Sequence, residues 1–413
     1  MSEVVITGIG VVCPLGEGVE ALRKGMFAGN SGIVPIRGQW VPEDFPVPYA
    51  GIIDRNKLST PKICQSHDWT KVPKSWLFTA LSSEEALKDF PKDLELDGIV
   101  YGTADGLSFD IVWESQKNYN PENFDERLVR SESPLNIIQD VLAARGNKKV
   151  QEENFVSINS ACATGNQTLG VAFQRIQSGE WKRCLAGGVD ARCEASNLMN
   201  FYTLGALTTD DVAPEKASRP FALDRSGFVR GEASATLLLE SRESAEARGA
   251  KIYGKITGYG MTSDAYRLTD GRDDGLSVIH AMKTAVQSSG SSLDEVDYIN
   301  AHGTSTPLND RLESKSIKTL FGDNAKNIPI SSLKSQIGHS TIASGAVEAI
   351  ACLLMIEEQK ISPTINYNHA DPECDLDYVP NVAREAKLNK ILSNSLGFGG
   401  QNACLLFERW EKT

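Results

Sequence analysis

FVSINSACATGNQTLGVAF, residues 155–173, is the stretch on which the reading of this chain turns. Val156, Ser157 and Ile158 form the end of a short buried strand. Asn159 and Ser160 are turn and cap residues, and Ala161 to Phe173 carries helical spacing with few breakers. Cys162 therefore falls where a strand gives way to a helix. A thiol there faces unpaired backbone N–H groups and the positive end of the helix dipole, which favour the thiolate and lower its pKa. Small neighbours, Ala161, Ala163 and Gly165, leave room for a substrate. A buried structural cysteine is the competing reading, and this stretch alone does not separate the two.

The bulk numbers narrow the field. A chain of 413 residues makes two or three average domains or one large duplicated one. Hydrophobic content of 41% with 35 glycines fits an α/β enzyme rich in tight turns. A net charge of −12 and a pI near 5.1 argue against a general nucleic-acid binder. The opening MSEVVITGIGVVCPLG has no basic leader and its apolar run is cut by glycines, so neither a signal peptide nor a membrane span is expected. No other run approaches the roughly 18 apolar residues that cross a bilayer. The eight cysteines form no CxxC pair and no zinc spacing. Reduced thiols in a cytoplasm, with no metal site, are the expectation.

Along the chain, short apolar strands alternate with helices. Val4–Ile6 reads as a strand, but Cys13 stands where a dinucleotide-binding fingerprint needs its third glycine, so that reading fails. Residues 34–60 are loop-like, 71–87 helical after Pro73, 98–101 a strand, and 113–131 a polar and aromatic surface excursion. Residues 184–189 (CLAGGV) are a strand, and 225–240 feed another. A short charged helix at 241–249 is a seam between halves 1–250 and 251–413. The second half opens on KIYGKITG and runs strand 296–300, helix 312–320, strand 328–332, helix 343–358 and strand 391–394. The pattern predicts a layered α/β architecture with an internal duplication.

Several groups are candidates to act with the thiol. His302 (YINAHGTSTPLND) and His339 (SSLKSQIGHSTIASGAVEA) sit in glycine-flanked loops after strands, where α/β enzymes place their chemistry. Histidine there can donate to a developing oxyanion or move protons near neutral pH; a loop histidine bonded only to backbone is the bland alternative. Lys334 follows a strand of small residues and needs a counter-charge, for which Glu348 is the candidate. SNSLGFGGQNA, residues 393–403, offers backbone N–H groups free of bulk for an oxyanion hole. Thr304 and Thr306 can hydrogen-bond a polar substrate arm or simply cap their loop.

Taken together, these motifs resemble the elongating β-ketoacyl-acyl-carrier-protein synthases of the thiolase superfamily, most like the type II form of bacterial fatty acid synthesis. VVITGIGVVCPLG, SACATGN, ASRPFALDRSGFVRGEA, AKIYGKITGYGMTSDAYRLT, NAHGTSTPLND, SSLKSQIGH with GAVE, PTINY, CDLDYVP and NSLGFGG occur in order over nearly the whole chain. The resemblance implies a thiolase-like duplicated five-layer αβαβα core and a decarboxylative Claisen condensation with malonyl carrier protein. It makes Cys162 the acyl-carrying nucleophile and His302 and His339 the decarboxylating pair. Lys334 and Glu348 would order the His339 side, and the N–H groups of Cys162 and Phe398 would form the oxyanion hole under the gating Phe398 ring. Thr304, Thr306, Thr269 and Gly399 would meet the phosphopantetheine arm, and Phe201 the acyl pocket. No resident cofactor is implied, the substrates riding on the phosphopantetheine of acyl carrier protein. The partners implied are that acidic protein, met by a basic patch near Lys71 and Lys74, and a second subunit in a homodimer, or in a heterodimer with a chain-length subunit.

Three departures bear on the acyl substrate. The segment 133–162 is short and charged (NKKVQEEN), Ala104-Asp105 stands where glycines and an apolar gate are usual, and Ser340-Thr341-Ile342 follows His339. They leave open a ketosynthase of a polyketide or polyene pathway. A non-catalytic chain-length subunit would lack Cys162, and a degradative thiolase would carry a second cysteine near the GFGG loop.

Overall fold

The computed structural model describes residues 2–65, 67–104 and 133–411; Asp105 and the surface excursion expected at 113–131 lie outside them. Five strands of the first half are β1 (Val4–Cys13), β2 (Gly98–Gly102), β3 (Phe155–Ile158), β4 (Arg183–Asp190) and β5 (Ala233–Ser241). Five of the second are β6 (Gly254–Ser263), β7 (Tyr298–Asn300), β8 (Ile330–Ser331), β9 (Lys390–Gly397) and β10 (Gln401–Glu408). The spatial order is β8-β7-β9-β10-β6-β1-β5-β4-β2-β3. Numbered within its own half, each sheet runs 3-2-4-5-1. In each, the first strand pairs antiparallel to the fifth, the fifth antiparallel to the fourth, and the remaining pairs are parallel. The two sheets join where Val4–Ile6 pairs with Gly254–Ile256.

The helices that position the site are α1 (Val19–Ala28), α2 (Lys74–Ala86), α3 (Ser133–Arg145), α4 (Thr164–Gln177), α5 (Ala195–Thr203), α6 (Leu276–Ser288), α7 (Pro307–Phe321) and α8 (Ser344–Glu358). Strand side chains alternate between two buried faces, which is why these strands read as unbroken apolar runs. Leu237, Leu239, Leu405 and Phe407 join Leu169, Phe173, Val347 and Ile350 of α4 and α8 in a central layer. Leu185 and Leu238 face α2 and α3, and Leu392 and Leu406 face α6 and α7. The result is the five-layer αβαβα arrangement. Each such large apolar side chain, fully buried, contributes roughly 1.5–3 kcal/mol.

Boundaries differ from the sequence reading where local chemistry is decisive. α7 starts five residues earlier than expected because Pro307, lacking an N–H, fits the first helical turn. β10 was not anticipated; its QNACLLFE run pairs with β9 and β6, and only the tertiary partners distinguish it from a loop tail. The loop-like stretch 34–60 holds two two-residue strands, Val34–Pro35 and Tyr49–Ala50.

Candidate active site

The chain emerges from β3 into a tight turn at Ala161, whose φ of 49° is left-handed and strained for a residue with a side chain. Thr164 secures that turn, accepting from the Ser160 N–H at 2.8 Å and donating to the Ala161 carbonyl at 2.7 Å. Cys162 sits two residues before α4 and is buried. Against the expectation of a lowered pKa, burial pushes its thiol up to about 11. The charges of Lys334 and Arg230 and a hydrogen bond from the Phe398 N–H pull the other way. The magnitudes explain the correction. A helix terminus supplies about 0.3–1 kcal/mol, whereas a rise of two units is about 3 kcal/mol. Cys162 therefore rests as a thiol.

Both imidazoles are buried and held well below the usual histidine range, by desolvation first and then by the Lys334 charge. They are therefore neutral near pH 7. Their ring centroids are 5.2 Å apart and nearly perpendicular. His302 follows β7, and Glu313 on α7 fixes its loop by accepting from the N–H groups of His302 and Gly303 at 2.8 and 2.9 Å. Asp310, one turn earlier, accepts from Thr304 and Ser305 at 3.0 and 3.1 Å. His339 follows β8; its Nδ1 pairs with the Ser344 hydroxyl at 2.9 Å, and its Nε2 has no partner. His339 holds in the second half the place, after the third strand, that Cys162 holds in the first.

Cys162, His302, His339, Thr304, Thr306, Thr269 and Phe398 line one cavity of about 930 Å³. Thr304 and Thr306 hydroxyls lie 2.9 Å apart on its wall. The β9–β10 hairpin packs on the Cys162 turn: a Cβ added to Gly397 would lie 2.8 Å from the Ser160 oxygen and 3.2 Å from the Cys162 nitrogen. Lys334 and Glu348 form a buried ion pair behind this wall rather than in it. Gly399 and Phe201 also lie off the wall. Gly399 ties the hairpin to the next loop through its N–H to Leu268 at 2.6 Å. The Phe201 ring packs 6.4 Å from Phe398 and 5.5 Å from Phe228. Lys74 is no free docking cation, since both oxygens of buried Glu232 hold it at 2.6 and 2.8 Å. Lys71 is exposed and pairs with Asp68 at 2.8 Å.

Sequence reasoning passed over Glu313, Asp310, Ser344, Asp190 and Arg230. The signal for the first two was present: acidic residues three apart on a helix that follows a glycine loop rich in backbone N–H groups. Arg230 and Asp190 give no such signal, because their meeting depends on the β4–β5 pairing.

Family models for the β-ketoacyl synthase N-terminal and C-terminal domains match residues 1–245 and 253–368. The chain is 36% identical over 414 residues to 3-oxoacyl-[acyl-carrier-protein] synthase 2 of Synechocystis, covering 99% of this chain and 98% of that protein. It is likewise 36% identical over 415 residues to the synthase of the same name in Staphylococcus aureus, with the same coverage. Among solved structures, a type II polyketide synthase acyl-carrier protein in complex with its ketosynthase, bound to the hexaketide, matches at 31% identity and a TM-score of 0.86. The ishigamide ketosynthase/chain length factor matches at 32% and 0.86, and a β-ketoacyl synthase of Burkholderia phymatum at 29% and 0.87. The first two cover 99% of this chain and the third 100%, each over the whole of the matched chain.

Proposed function

The chain belongs to the β-ketoacyl synthase family, and from that premise we propose that it condenses an acyl group on Cys162 with malonyl-acyl carrier protein in fatty acid elongation. The observation that carries the reading is a buried thiol and two neutral imidazoles facing one cavity. In the first half-reaction the Cys162 sulfur bonds to the acyl carbonyl carbon, a neutral imidazole takes its proton, and the phosphopantetheine sulfur leaves and recovers the proton. The N–H groups of Cys162 and Phe398 stabilise the transient oxyanion. In the second, malonyl carrier protein loses carbon dioxide. His302 and His339 donate hydrogen bonds to the thioester oxygen as the carbon–carboxylate bond breaks and an enolate forms. Its carbon attacks the acyl-enzyme carbonyl carbon, one carbon–carbon bond forms as the bond from that carbon to the Cys162 sulfur breaks, and the departing thiolate takes a proton from water to return to the resting thiol. Lys334, neutralised by Glu348, holds the charge balance behind the histidines. No resident cofactor is assigned; both acyl groups arrive on the carrier's phosphopantetheine, along which Thr304, Thr306 and Thr269 are placed to bond.

Intact mass spectrometry after exposure to a panel of acyl carrier proteins tests this. An acyl adduct forms on wild type and is absent from Cys162→Ala, whose condensation falls by roughly 10³-fold or more while some release of carbon dioxide from malonyl carrier protein continues. Wild-type condensation by Cys162→Ala overturns the nucleophile assignment. His302→Ala and His339→Ala are each expected to slow decarboxylation by roughly 10²–10⁴-fold; undiminished carbon dioxide release in both removes them from that step.

A ketosynthase of a polyketide or polyene pathway is favoured by one feature. Two of the solved structures that match over the whole of their chains are a type II polyketide ketosynthase and the ishigamide ketosynthase/chain length factor, at 31% and 32% identity. Edge strand β3, partly exposed, supports pairing with a second subunit, in a homodimer or with a chain-length subunit. Among the described residues no helix is long and apolar enough to cross a membrane, and all eight cysteines are free, in keeping with a reducing cytoplasm.

A further inference from the structure

Ser344 stands five residues after His339, and the chain between them folds back far enough to bring the two side chains together. Ser340 and one tight helical turn, Thr341–Ala343, separate His339 from the start of α8 at Ser344. Thr341 makes that turn with a left-handed φ of 35°, uncommon for a β-branched residue, and the Ala343 N–H donates to the Ser340 carbonyl at 3.0 Å. This end of α8 is pinned, because a Cβ added to Gly345 would lie 2.6 Å from the Asn166 nitrogen of α4. The Ser344 hydroxyl meets His339 Nδ1 at 2.9 Å and the Ser340 hydroxyl at 3.2 Å, and all three residues are buried. Among the described residues neither hydroxyl has a further partner. His339 lines the cavity, and its Nε2 is the ring nitrogen that no protein group satisfies. The rings of Phe228 and His302, centred 5.3 and 5.2 Å away and nearly perpendicular, hold the plane of the imidazole.

The protons of this cluster can be counted. A neutral imidazole carries one ring proton, and a hydroxyl donates one proton while accepting with its lone pairs. With the ring proton on Nε2, Ser340 donates to Ser344, Ser344 donates to Nδ1, and both hydroxyl protons are used. With the ring proton on Nδ1, Ser344 must accept from it. Whichever serine then donates to the other, one hydroxyl proton is left buried without an acceptor. In either case Nε2 waits for a ligand, so the serine proton decides. The usual cost of an unpaired buried donor favours the first arrangement by roughly five- to 150-fold. His302 has no such neighbour, its buried Nδ1 being without a partner.

We infer that Ser344 is a positioning residue of this condensing site: by donating to Nδ1 it commits the His339 proton to Nε2, making that imidazole a hydrogen-bond donor toward the cavity. This rests on the condensing role proposed above, in which His339 donates to the thioester oxygen as carbon dioxide leaves. Ser344 is not on the cavity wall and acts only through the ring.

Nitrogen NMR of protein made with isotope-labelled histidine tests this, with His339→Gln identifying the His339 signals. In wild type at neutral pH, without substrate, Nε2 should be protonated and Nδ1 an unprotonated acceptor. Ser344→Ala should remove the signature of the hydrogen bond at Nδ1 and admit the other tautomer. It should also lower kcat for carbon dioxide release from malonyl carrier protein about tenfold at unchanged KM, the effect of one lost hydrogen bond. Ser344→Thr, which keeps a hydroxyl, should hold both the ring signals and the rate. A wild-type ring protonated on Nδ1 overturns the inference, as does a Ser344→Ala protein with wild-type ring signals, whatever its rate. If Ser344→Ala does not fold, the wild-type tautomer and Ser344→Thr decide. The ring measurement needs no substrate: were His339→Gln to release carbon dioxide at the wild-type rate, the condensing role of His339 would fail while the tautomer assignment stood.

Discussion

Glu313 never reaches the cavity, yet the His302 loop hangs on it. Its carboxylate accepts from two consecutive backbone N–H groups and from Asn394 at 3.1 Å, while burial pushes its pKa up to about 7. An acid raised above its ordinary value of 4.5 stays protonated in the folded chain where the unfolded chain has already lost its proton. Its stabilising contribution is full below about 4.5, declines as pH rises, and is gone above about 7, a loss on the order of 3 kcal/mol. The lowered histidines run the other way: their neutral burial favours the fold above their unfolded value of 6.5, and that support is lost as pH falls. Denaturant unfolding of wild type and Glu313→Gln between about pH 5 and 8 separates the two, since the difference between the curves contains only Glu313. Wild type should lose its margin over the variant as pH rises; parallel curves would reject the assignment. Cys162 follows the same logic of burial against local charge, and sequence could supply only one side of it. The helix start was visible, the desolvation was not.

At the scale of elements, the site is assembled where turns meet. The Cys162 turn between β3 and α4 and the hairpin between β9 and β10 approach so closely that position 397 has no room for a Cβ. Gly397→Ala should push the hairpin, and with it the Phe398 N–H, away from the Cys162 sulfur. Displacements of this size cost up to about 10²-fold in rate. The expected signature is slower acyl loading in single-turnover assays with little change in binding of the carrier protein; loading at the wild-type rate would show that the Phe398 N–H is dispensable. Helices and strands with strong local signals were legible: α8 with its unbroken apolar run, β4 with CLAGGV, and the breaks at Pro73 and Gly249. β10 and the start of α7 were not, because a strand partner far along the chain and a proline's fit at a helix start override local pattern.

The whole molecule is two copies of one strand order sharing a central helical layer, and each copy contributes different groups to the cavity. The thiol comes from the first half, both imidazoles and the Phe398 loop from the second. Because β3 leaves a partly exposed edge at one end of the joined sheets, light scattering is expected to give twice the 44.9 kDa chain mass; a monomer at micromolar concentration would argue that another chain covers that edge. The sequence by itself determined the elements with strong periodicity and the family resemblance, and it singled out Cys162, His302 and His339 as candidates, because a cysteine at a helix start and histidines in glycine loops are local patterns. Only the tertiary structure decided that the thiol rests protonated, that Lys74 is committed to Glu232, and that Arg230 and Asp190 stand behind the site. The reason is physical: burial and charge at a point depend on every chain segment packed around it, and strand pairing brings together residues such as Asp190 and Arg230 that lie 40 positions apart.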